Sequence, residues 1–535
     1  MRRKGKCFLL IFASILLIPA LITTVNKPVE AVCAPEPGVN SLTTLASGNS
    51  LYLMWEQDTG YINSTVGGTH TLYFKKSSDG GKSFGNTISL YKTSSGCSIG
   101  SQMVIGGNGK EKENVYIAWH DSSGRILLTA SNDGGASFGD TLPISLGNYT
   151  GAYQIIANTN NSIYIAFSSF NESTSSYEIF FKKSSDGGKS FGNPVKLSNN
   201  SSEDSSDPHL AASGQNIYVV WSEAAQGYDC GSALGPKPEC PSKIMFTKST
   251  DGGRKFNDPL SLSGSGTCFR NQSNGSNNAT CITPQNPDIQ AAGSDVYVTW
   301  RDGSCVLCFA HSADYGKTFS QTADLFAEFS QNTILSLYDS PYMVAYDSTA
   351  YVAWMANSGT GYDFYLIKTA DGGNHFYRIE AAIPRDFGNN AYPIPKHLAI
   401  ARNGELYFGW TPNADGHTIL FQAVLENATA SANPSLIYSS SNTPYLEWYP
   451  QIAASDVGNV YVLWQNSTNS QMLPGNPQQQ LVIRASADAG QSFDKVERVQ
   501  NILSIPEFAS SLSALVMTLG IGGAIGAGMA IRHRL

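Results

Sequence analysis

The most constraining feature of this 535-residue chain is a short strand-like motif that recurs eight times. Each copy is rich in β-branched and aromatic residues and ends in an aromatic residue, which is typical of a β-strand. The copies read LYLMW (51–55), VYIAW (115–119), IYIAF (163–167), IYVVW (217–221), VYVTW (296–300), AYVAW (350–354), LYFGW (406–410) and VYVLW (460–464). Most copies are separated by about 55 residues, so the chain is an array of similar structural units.

A turn motif recurs in the same units. It contains an Asp, a Gly two residues later and a closing Phe, which together favour a tight turn. The copies read SSDGGKSF (77–84), SNDGGASF (131–138), SSDGGKSF (184–191), STDGGRKF (249–256), SADYGKTF (312–319), TADGGNHF (369–376) and SADAGQSF (486–493). The unit that holds LYFGW has LENATASANPSL (425–436) at the corresponding place.

Each unit divides into four strand-like runs. Strand a precedes the aromatic strand, as in PHLAAS (208–213), and the aromatic strand itself is strand b. Strand c leads into the turn, as in TLYFKKS (71–77), and strand d follows it, as in PVKLS (194–198). Four antiparallel strands per repeat predict an all-β fold, a single β-propeller with eight four-stranded blades. Seven blades with an edge elaboration are the alternative.

The turn motif resembles the Asp box, or BNR repeat, of sialidases and of other propellers such as sortilin. The resemblance covers residues 40–503, and only the fourth and sixth copies replace the second hydroxyl residue, by Lys255 and His375. We expect the Asp side chain to accept backbone N–H groups within the turn and the closing Phe to pack back into its blade. These structural aspartates are Asp79, Asp133, Asp186, Asp251, Asp314, Asp371 and Asp488.

The N-terminus has the pattern of an export signal. A basic stretch is followed by an apolar run from Cys7 to Val25, and small residues surround Ala31. The sequence predicts a signal peptide over 1–31, and an uncleaved membrane anchor is the alternative. The propeller domain is then 32–503.

The C-terminus has the pattern of a membrane tether. Residues 512–531 contain no charge and are long enough to span a bilayer, and 532–535 form a basic tail on the cytoplasmic side. In the preceding segment, 504–511, the string Pro506-Glu507-Phe508 resembles archaeal sorting signals. That resemblance implies that the helix is exchanged for a lipid anchor, and a retained helix is the alternative. Both predict a propeller on the outer cell surface.

Cysteine and Asn-x-Ser/Thr usage agree with export. Cys7 leaves with the signal peptide, and the eight remaining cysteines predict four disulfides, for which we expect the pairs 33–97, 230–240, 268–281 and 305–308. These residues are Cys33, Cys97, Cys230, Cys240, Cys268, Cys281, Cys305 and Cys308. In the strand pattern all eight fall on the face away from the Asp boxes. The eleven sequons predict a glycosylated surface.

The charge pattern excludes nucleic-acid binding. The formal net charge is −8, and no Lys/Arg cluster outside the N-terminus provides a basic face. No recurring ligand spacing indicates a metal, and the sequence predicts no cofactor.

The resemblance to sialidases implies a specific catalytic set, which this chain does not reproduce. That set comprises three arginines for the substrate carboxylate, a tyrosine nucleophile activated by a glutamate, and an aspartate acid/base. The family's Arg-Ile-Pro motif before the first Asp box is absent here. Candidate catalytic residues on the face away from the Asp boxes are Arg125, Arg301, Asp121 and Asp302.

Polar and aromatic residues at strand ends on that face are candidates for ligand binding. They are His120, Asp207, His209, Glu447, Trp448 and Tyr449. Long loops between 223 and 241 and between 263 and 286 fall on the same face. The sequence favours a surface protein that binds glycans or cell-envelope proteins through this loop face. The alternatives are a glycoside hydrolase and a passive envelope component.

Overall fold

The computed structural model describes the region expected to form the propeller. The described residues are 38–58, 69–94, 99–107, 113–145, 147, 150–158, 160–199, 203–225, 242–264, 267–270, 279–282, 284–302, 307–325, 336–337, 341–357, 362–379, 398–400, 405–410, 418–424, 435–439, 446–467, 479–495 and 497–501. The predicted signal peptide, the Pro-Glu-Phe segment and the predicted membrane helix lie outside these residues. Within the described part of the chain, no helix is long and apolar enough to cross a membrane.

The first half of the described chain forms four antiparallel sheets. Blade 1 contains β1 (Gly38–Ser47), β2 (Ser50–Asp58), β3 (His70–Ser77) and β4 (Ile88–Thr93). Blade 2 contains β5 (Gln102–Gly106), β6 (Asn114–His120), β7 (Ile126–Ser131) and β8 (Leu142–Pro143). Blade 3 contains β9 (Thr150–Ala157), β10 (Ile163–Asn171), β11 (Ser176–Ser184) and β12 (Val195–Lys196). Blade 4 contains β13 (Glu203–Ser213), β14 (Asn216–Ala225), β15 (Ser242–Ser249) and β16 (Leu260–Ser261).

The second half repeats this order after a small hairpin of β17 (Thr267–Arg270) and β18 (Ala279–Ile282). Blade 5 contains β19 (Gln285–Ala292), β20 (Asp295–Arg301), β21 (Cys308–Ser312) and β22 (Ala323–Asp324). Blade 6 contains β23 (Ser336–Leu337), β24 (Tyr342–Tyr346), β25 (Thr349–Asn357), β26 (Tyr362–Thr369) and β27 (Tyr377–Arg378). Blade 7 contains β28 (Leu398–Ile400), β29 (Leu406–Trp410), β30 (Thr418–Val424) and β31 (Ser435–Ser439). Blade 8 contains β32 (Leu446–Ala454), β33 (Val460–Ser467), β34 (Gln479–Ser486) and β35 (Glu497–Asn501).

The predicted all-β propeller is confirmed. Seven regular four-stranded blades are present, which is the blade number of the alternative expectation rather than the eight expected first. The sheet of blade 6 differs from these seven because it has five strands. Its inner edge is split into β23 and β24, which pair with successive parts of β25. The innermost strand of each sheet contacts that of the next, and β32 contacts β1, so the described sheets close into a ring.

The b strands form the core because a blade is buried on both faces. In β2, Leu51 to Met54 are at most 1% exposed, and the same pattern recurs in the other b strands. Apolar clusters lie between neighbouring sheets, and the one between blades 8 and 1 contains Leu53, Trp55, Tyr461 and Leu463. Ring closure therefore rests on side-chain packing between the first and last blades, with each blade built from one continuous stretch of chain.

Hydrogen bonds near the Asp-box end support this closure. The side-chain amide of Asn459 donates to the Gly48 carbonyl at 3.0 Å and to the Asn49 side chain at 2.9 Å. The Gly48 backbone N–H donates to the Asp456 carboxylate at 2.9 Å. These bonds join the turn of blade 8 to the turn of blade 1.

The Asp-box turns share one hydrogen-bonding pattern. In the first, the Ser77 hydroxyl donates to the Asp79 carboxylate at 2.8 Å and accepts the Gly81 N–H at 2.9 Å. The Ser83 N–H and hydroxyl both donate to Asp79, at 2.9 and 2.5 Å. Hydrogen bonds from Ser83 and Ser77 lower the pKa of Asp79 to about 2. In the sixth turn the His375 imidazole takes the place of the hydroxyl, 2.6 Å from Asp371.

The Asp-box glycine and phenylalanine pack against the preceding blade. Phe256 of the fourth turn packs edge-on against Phe181 of blade 3, with ring centroids 4.8 Å apart. A Cβ at Gly253 would lie 2.7 Å from the same ring. The expectation that the closing Phe packs into its own blade is therefore incomplete: it also packs against the blade before it.

The a strands begin earlier than predicted. β13 starts at Glu203 and β19 at Gln285, and their registers shift between Ser206 and His209 and between Gln285 and Asp288. These shifts mark bulges that contain Pro208 and Pro287. A bulge tolerates a residue without an N–H donor, so the strand continues through a proline that the sequence pattern took as its start.

We predict that Gly253→Ala destabilises the full chain more than Gly214→Ala. Both glycines have positive φ, +83° and +62°, so each substitution incurs the backbone cost of about 1–2 kcal/mol. Only at Gly253 does the new methyl group also meet the Phe181 ring, which adds about 1–3 kcal/mol. Denaturant unfolding of both variants measures the difference. Equal losses would mean that the glycine is required for its backbone angle alone.

Candidate functional site

The turn after β6 holds two of the predicted catalytic residues in a local structure. The Asp121 carboxylate accepts the Ser123 N–H at 2.9 Å and the Arg125 N–H at 3.0 Å. The Arg125 guanidinium forms a salt bridge with the same carboxylate, with Nε at 2.8 Å and Nη2 at 2.6 Å from Asp121 Oδ2. Burial alone would raise the pKa of Asp121, but these hydrogen bonds outweigh it and the pKa is lowered. The Arg125 side chain is 48% exposed, and its charge is neutralised by Asp121 of the same turn.

The other predicted catalytic pair lies elsewhere in the ring. Arg301 ends β20, and Asp302 follows it and is buried. Both belong to blade 5, whereas Asp121 and Arg125 belong to blade 2, with blades 3 and 4 between them. The two pairs therefore come from blades that are not neighbours in the ring.

His120 packs between blades 2 and 3. Its Nε2 lies 3.1 Å from the Gly151 carbonyl, and its ring meets Tyr153 edge-on at 5.0 Å. Burial is the largest influence and lowers the pKa of His120. A neutral imidazole that joins two blades is consistent with a structural role.

A buried acid–base pair that the sequence analysis missed lies near His120. The Glu56 carboxylate is 3.2 Å from His70 Nε2, and both side chains are fully buried. Glu56 also accepts the Ser101 N–H at 2.8 Å and the Ser101 hydroxyl at 2.5 Å. The pair thus fixes the chain that enters blade 2. The sequence signal for this pair was a Glu directly after the aromatic residue that ends strand b. A charged residue at a strand end is usually exposed, so the sequence did not indicate a buried pair.

The predicted residues Asp207 and His209 belong to a cluster on the inner strands of blades 4 and 5. His209 Nδ1 lies 3.4 Å from Asp288, and His209 Nε2 lies 3.8 Å from Asp207. The His209 side chain is 32% exposed although protein surrounds it, as is typical of a residue that lines a depression. The sequence analysis did not select Asp288, because it could not show that the inner strands bring 209 and 288 together.

Neighbouring blades use glutamine where this cluster uses ionisable groups. Gln102, Gln154, His209 and Asp288 each pair with the residue before the strand-b aromatic. Gln102 bridges to β9 by donating to the Tyr153 carbonyl at 2.7 Å and accepting the Ile155 N–H at 3.1 Å. Gln154 similarly accepts the Leu210 N–H. The His209–Asp288 contact therefore replaces a neutral link between blades by a charged one.

The same two inner strands carry backbone strain. Asp207 has φ +55° and Asn286 has φ +53°, in the left-handed region that is uncommon outside glycine and that Asp and Asn adopt more often than other residues. Each residue precedes a bulge proline, Pro208 or Pro287. Strain of this kind persists where the surrounding structure enforces it and is concentrated at functional sites. Both positive-φ residues before a proline in the described chain's inner strands of blades 4 and 5 thus adjoin His209 or Asp288.

The pKa values in this cluster reflect burial and the nearby charges. Burial is the largest effect on His209 and would lower its pKa, but Asp288 and Asp207 outweigh it, so the pKa is raised. Burial raises the pKa of Asp207, Asp288 adds to this, and His209 opposes it. An imidazole flanked by two carboxyl groups offers both donors and acceptors to a polar ligand.

A carboxyl pair lies further along the same sheet. Glu223 accepts the Trp221 indole N–H at 3.3 Å and the Ser205 hydroxyl at 3.5 Å. Burial, followed by a hydrogen bond with Glu203, raises the pKa of Glu223 to about 7. Lys243 lies 3.6 Å from Glu203. The two carboxyl groups therefore share a proton near neutral pH, as like charges at close range require.

Two described tyrosines that hydrogen-bond to glutamates, Tyr52 and Tyr407, do not reproduce an activated nucleophile. Tyr52 donates to Glu113 at 3.2 Å and Tyr407 donates to Glu405 at 2.5 Å. Burial is the main cause of the raised pKa of both phenols, which is opposite to what a tyrosine nucleophile needs. Both tyrosines also lie near the starts of b strands, which is the Asp-box end of the blade.

Other predicted residues are placed only in part. Glu447, Trp448 and Tyr449 lie in β32, and their side chains are outside the described residues. Cys268 and Cys281 are register partners in the β17–β18 hairpin, as a 268–281 pair requires, and Cys308 is disulfide-bonded. Of the cysteines predicted to form disulfides, those outside the described residues are Cys33, Cys97, Cys230, Cys240 and Cys305. Among the described side chains, no group of three or more His, Cys, Asp or Glu residues is arranged to hold a metal ion.

Comparison with known proteins gives similarity of fold only. No protein-family model and no curated protein matches the chain. A polysaccharide lyase of family PL25, an ulvan lyase, aligns with 11% identity over 74% of this chain and 96% of that chain, with a TM-score of 0.44. A leech intramolecular trans-sialidase aligns with 13% identity over 83% and 92%, with a TM-score of 0.34. A Trypanosoma rangeli sialidase aligns with 12% identity over 69% and 56%, with a TM-score of 0.32. At these values the similarity says nothing of activity.

We predict that Glu223 makes the folding stability of this chain fall between pH 5 and pH 8. Its pKa is about 7 in the folded protein, against 4.5 as its ordinary value, so the folded state binds the extra proton. The resulting stabilisation is complete below about pH 4.5 and is lost as the pH rises through 7, on the order of 2–3 kcal/mol. Unfolding of wild type and Glu223→Gln across this range measures it.

The matched control is Glu178→Gln, which removes a buried glutamate that is paired with Lys196 at 2.7 Å. This variant should keep the wild-type slope of stability against pH, whereas Glu223→Gln should flatten it. A wild-type slope in Glu223→Gln would contradict the shared-proton assignment.

Proposed function

We propose that this chain is a surface recognition protein that binds hydroxyl-rich ligands, such as neutral glycans, at the inner strands of blades 4 and 5. The observation that supports the proposal is the His209 cluster. It places His209 and Asp288 where neighbouring inner strands carry glutamine, with Asp207 beside them. Carboxylates accept hydrogen bonds from sugar hydroxyls, and a charged imidazole donates them.

The charges of this region favour a neutral ligand over an acidic one. The cluster brings two carboxyl groups to one imidazole, and the adjoining Glu203–Glu223 pair adds further carboxyl groups. An acidic sugar would need arginine forks to bind in their presence. Arg125 is bound to Asp121 in another blade, so it does not supply such a fork here.

The expected setting of this activity is the cell envelope. The N-terminal export pattern, the C-terminal tether and the sequons support an outer-surface location. Envelope glycans and glycoproteins are therefore the proposed partners, and the expected long loops near blades 4 and 5 would border the ligand. Membrane attachment would come through residues 512–531.

A glycan array probed with the full chain tests this proposal. We expect binding to a restricted set of neutral glycans, and His209→Gln should weaken it at least tenfold because the variant loses the charge held by Asp207 and Asp288. The control is His375→Gln, which removes a histidine on the Asp-box face and should leave binding unchanged. Equal binding by wild type and His209→Gln, with both folded, would refute a role for the cluster.

A glycoside hydrolase is the second candidate, and Glu223 is the observation that favours it. A carboxyl group with a pKa of about 7 suits a general acid at neutral pH. Its hydrogen bond with Glu203 places the two groups closer than the roughly 5–9.5 Å of standard glycosidase pairs, so Glu203 does not provide the second carboxyl group in such a mechanism.

Turnover of sialosides and other glycosides by the full chain tests the second candidate. A hydrolase that uses Glu223 as acid should lose activity in Glu223→Gln, whereas a sialidase site should lose activity in Arg125→Ala or Arg301→Ala. No turnover by the folded protein on any substrate would exclude the hydrolase for these substrates and leave the recognition role.

A further inference from the structure

The Asp-box face carries two pairs of cations, one pair at each of two neighbouring blade interfaces. Lys183 and Lys248 end strands c of blades 3 and 4, directly before an Asp-box serine. Lys183 Nζ donates to the Gly252 carbonyl of the next turn at 2.9 Å. Lys248 Nζ donates to the Tyr315 carbonyl of the turn after that at 2.8 Å. An ammonium group has three donors, so each of these bonds uses one of them.

The second cation of each pair comes from the turn itself. Arg254 and Lys317 occupy the position directly after the last glycine of their Asp box, Gly253 or Gly316, and both are exposed. Burial is the main cause of the lowered pKa of Lys183, and the Arg254 charge adds to it. Burial likewise lowers the pKa of Lys248, Asp314 opposes the shift, and Lys317 adds to it. Each lysine therefore has a second cation nearby, and an Asp-box carboxylate, Asp251 or Asp314, that partly offsets the repulsion.

The other Asp-box interfaces do not combine these two cations. The corresponding residues are Lys76 with Ala136, Ala130 with Lys189, His311 with Asn374, and Ala485 with Lys82. Among the interfaces that have an Asp box on both sides, the paired cations thus occur at the 3/4 and 4/5 interfaces, which are consecutive in the ring.

Each pair lines a cavity. The cavity at the 3/4 interface has a volume of about 530 Å³ and is lined by Lys183, Arg254, Ser185 and Asn193. The cavity at the 4/5 interface has a volume of about 200 Å³ and includes Lys248 and Lys317. Asp186 and Asp258 also line these cavities, but the Asp186 oxygens already accept the hydroxyls of Ser184 and Ser190.

An exposed aromatic residue lies beside the second pair. Tyr315 is 45% exposed and has φ +60°. The same turn position is Gly80, Gly134, Gly187, Gly252, Gly372 and Ala489 in the other Asp boxes. A bulky residue is strained in this backbone conformation, and the flat, exposed face of a tyrosine suits stacking on a sugar ring.

We propose that this basic strip, formed by the cation pairs of the 3/4 and 4/5 interfaces and by Tyr315, binds an acidic polysaccharide chain. Carboxylate or sulfate groups at intervals along the polymer would occupy the two cation pairs. A sugar ring would stack on Tyr315. The strip lies on the opposite face from the His209 cluster and differs from it in charge, so the two proposals can fail independently.

The test measures binding of the full chain to polygalacturonate, dextran sulfate, neutral dextran and phosphatidylglycerol vesicles. We expect binding to one or both acidic polysaccharides but not to neutral dextran, with affinity falling as salt is raised. The double variant Arg254→Gln/Lys317→Gln should lose at least tenfold in affinity. Its matched control is Lys82→Gln, which removes a cation at the same turn position where the preceding blade provides Ala485 in place of lysine, and which should bind as wild type.

Tyr315→Gly separates binding from folding. Glycine is unstrained at φ +60°, so the melting temperature should not fall, whereas affinity for the acidic polysaccharide should drop several-fold. Ala489→Gly is the control at the same turn position and should change neither affinity nor fold.

Binding to only polygalacturonate or only dextran sulfate supports the proposal and identifies the anionic group. Binding to the vesicles and to neither polysaccharide would overturn it in favour of an anionic membrane surface. No binding, or binding that the double variant leaves unchanged, would also overturn it.

Discussion

The contact between each Asp-box turn and the preceding blade is the interaction on which the ring depends. The turn glycine has no Cβ, which lets the backbone approach an aromatic ring such as Phe181, and the closing Phe256 completes the contact edge-on. The aspartate contributes indirectly, because its hydrogen bonds hold the turn in the shape that presents both residues. The Asp box therefore connects two neighbouring blades through packing, in addition to forming a turn within one blade.

This joining mode explains how the ring closes and where it has room to vary. Blades 1 and 8 meet through the cluster around Trp55 and Tyr461 and through Asn459, with no strand exchanged between them. Because the interfaces are fixed by apolar packing, polar positions at either end of a blade can change without loss of the fold. The His209 cluster and the paired cations are two such changes, on opposite faces of blades 4 and 5.

Much of the architecture was predictable, because the eight aromatic strands and seven turns specify their own local structure. The site was not. Asp207 and His209 were chosen as strand-end polar residues, yet Asp288 belongs with them and lies about 80 residues further along the chain. Arg125 and Asp121 were chosen as catalytic candidates, but their spacing of four residues across a tight turn forms a local salt bridge. Glu203 and Glu223 escaped selection because a shared proton depends on burial and proximity, which a sequence does not display.

The sequence by itself determined the strand order within each blade, the turn chemistry and the all-β propeller, since these follow from alternation, glycine placement and a repeat of about 55 residues. Only the tertiary structure decided which residues of different blades become neighbours. The register of an inner strand sets whether position 209 meets 288, and bulges at Pro208 and Pro287 set that register. Interactions between blades join residues from separate repeats, so no pattern within one repeat encodes them.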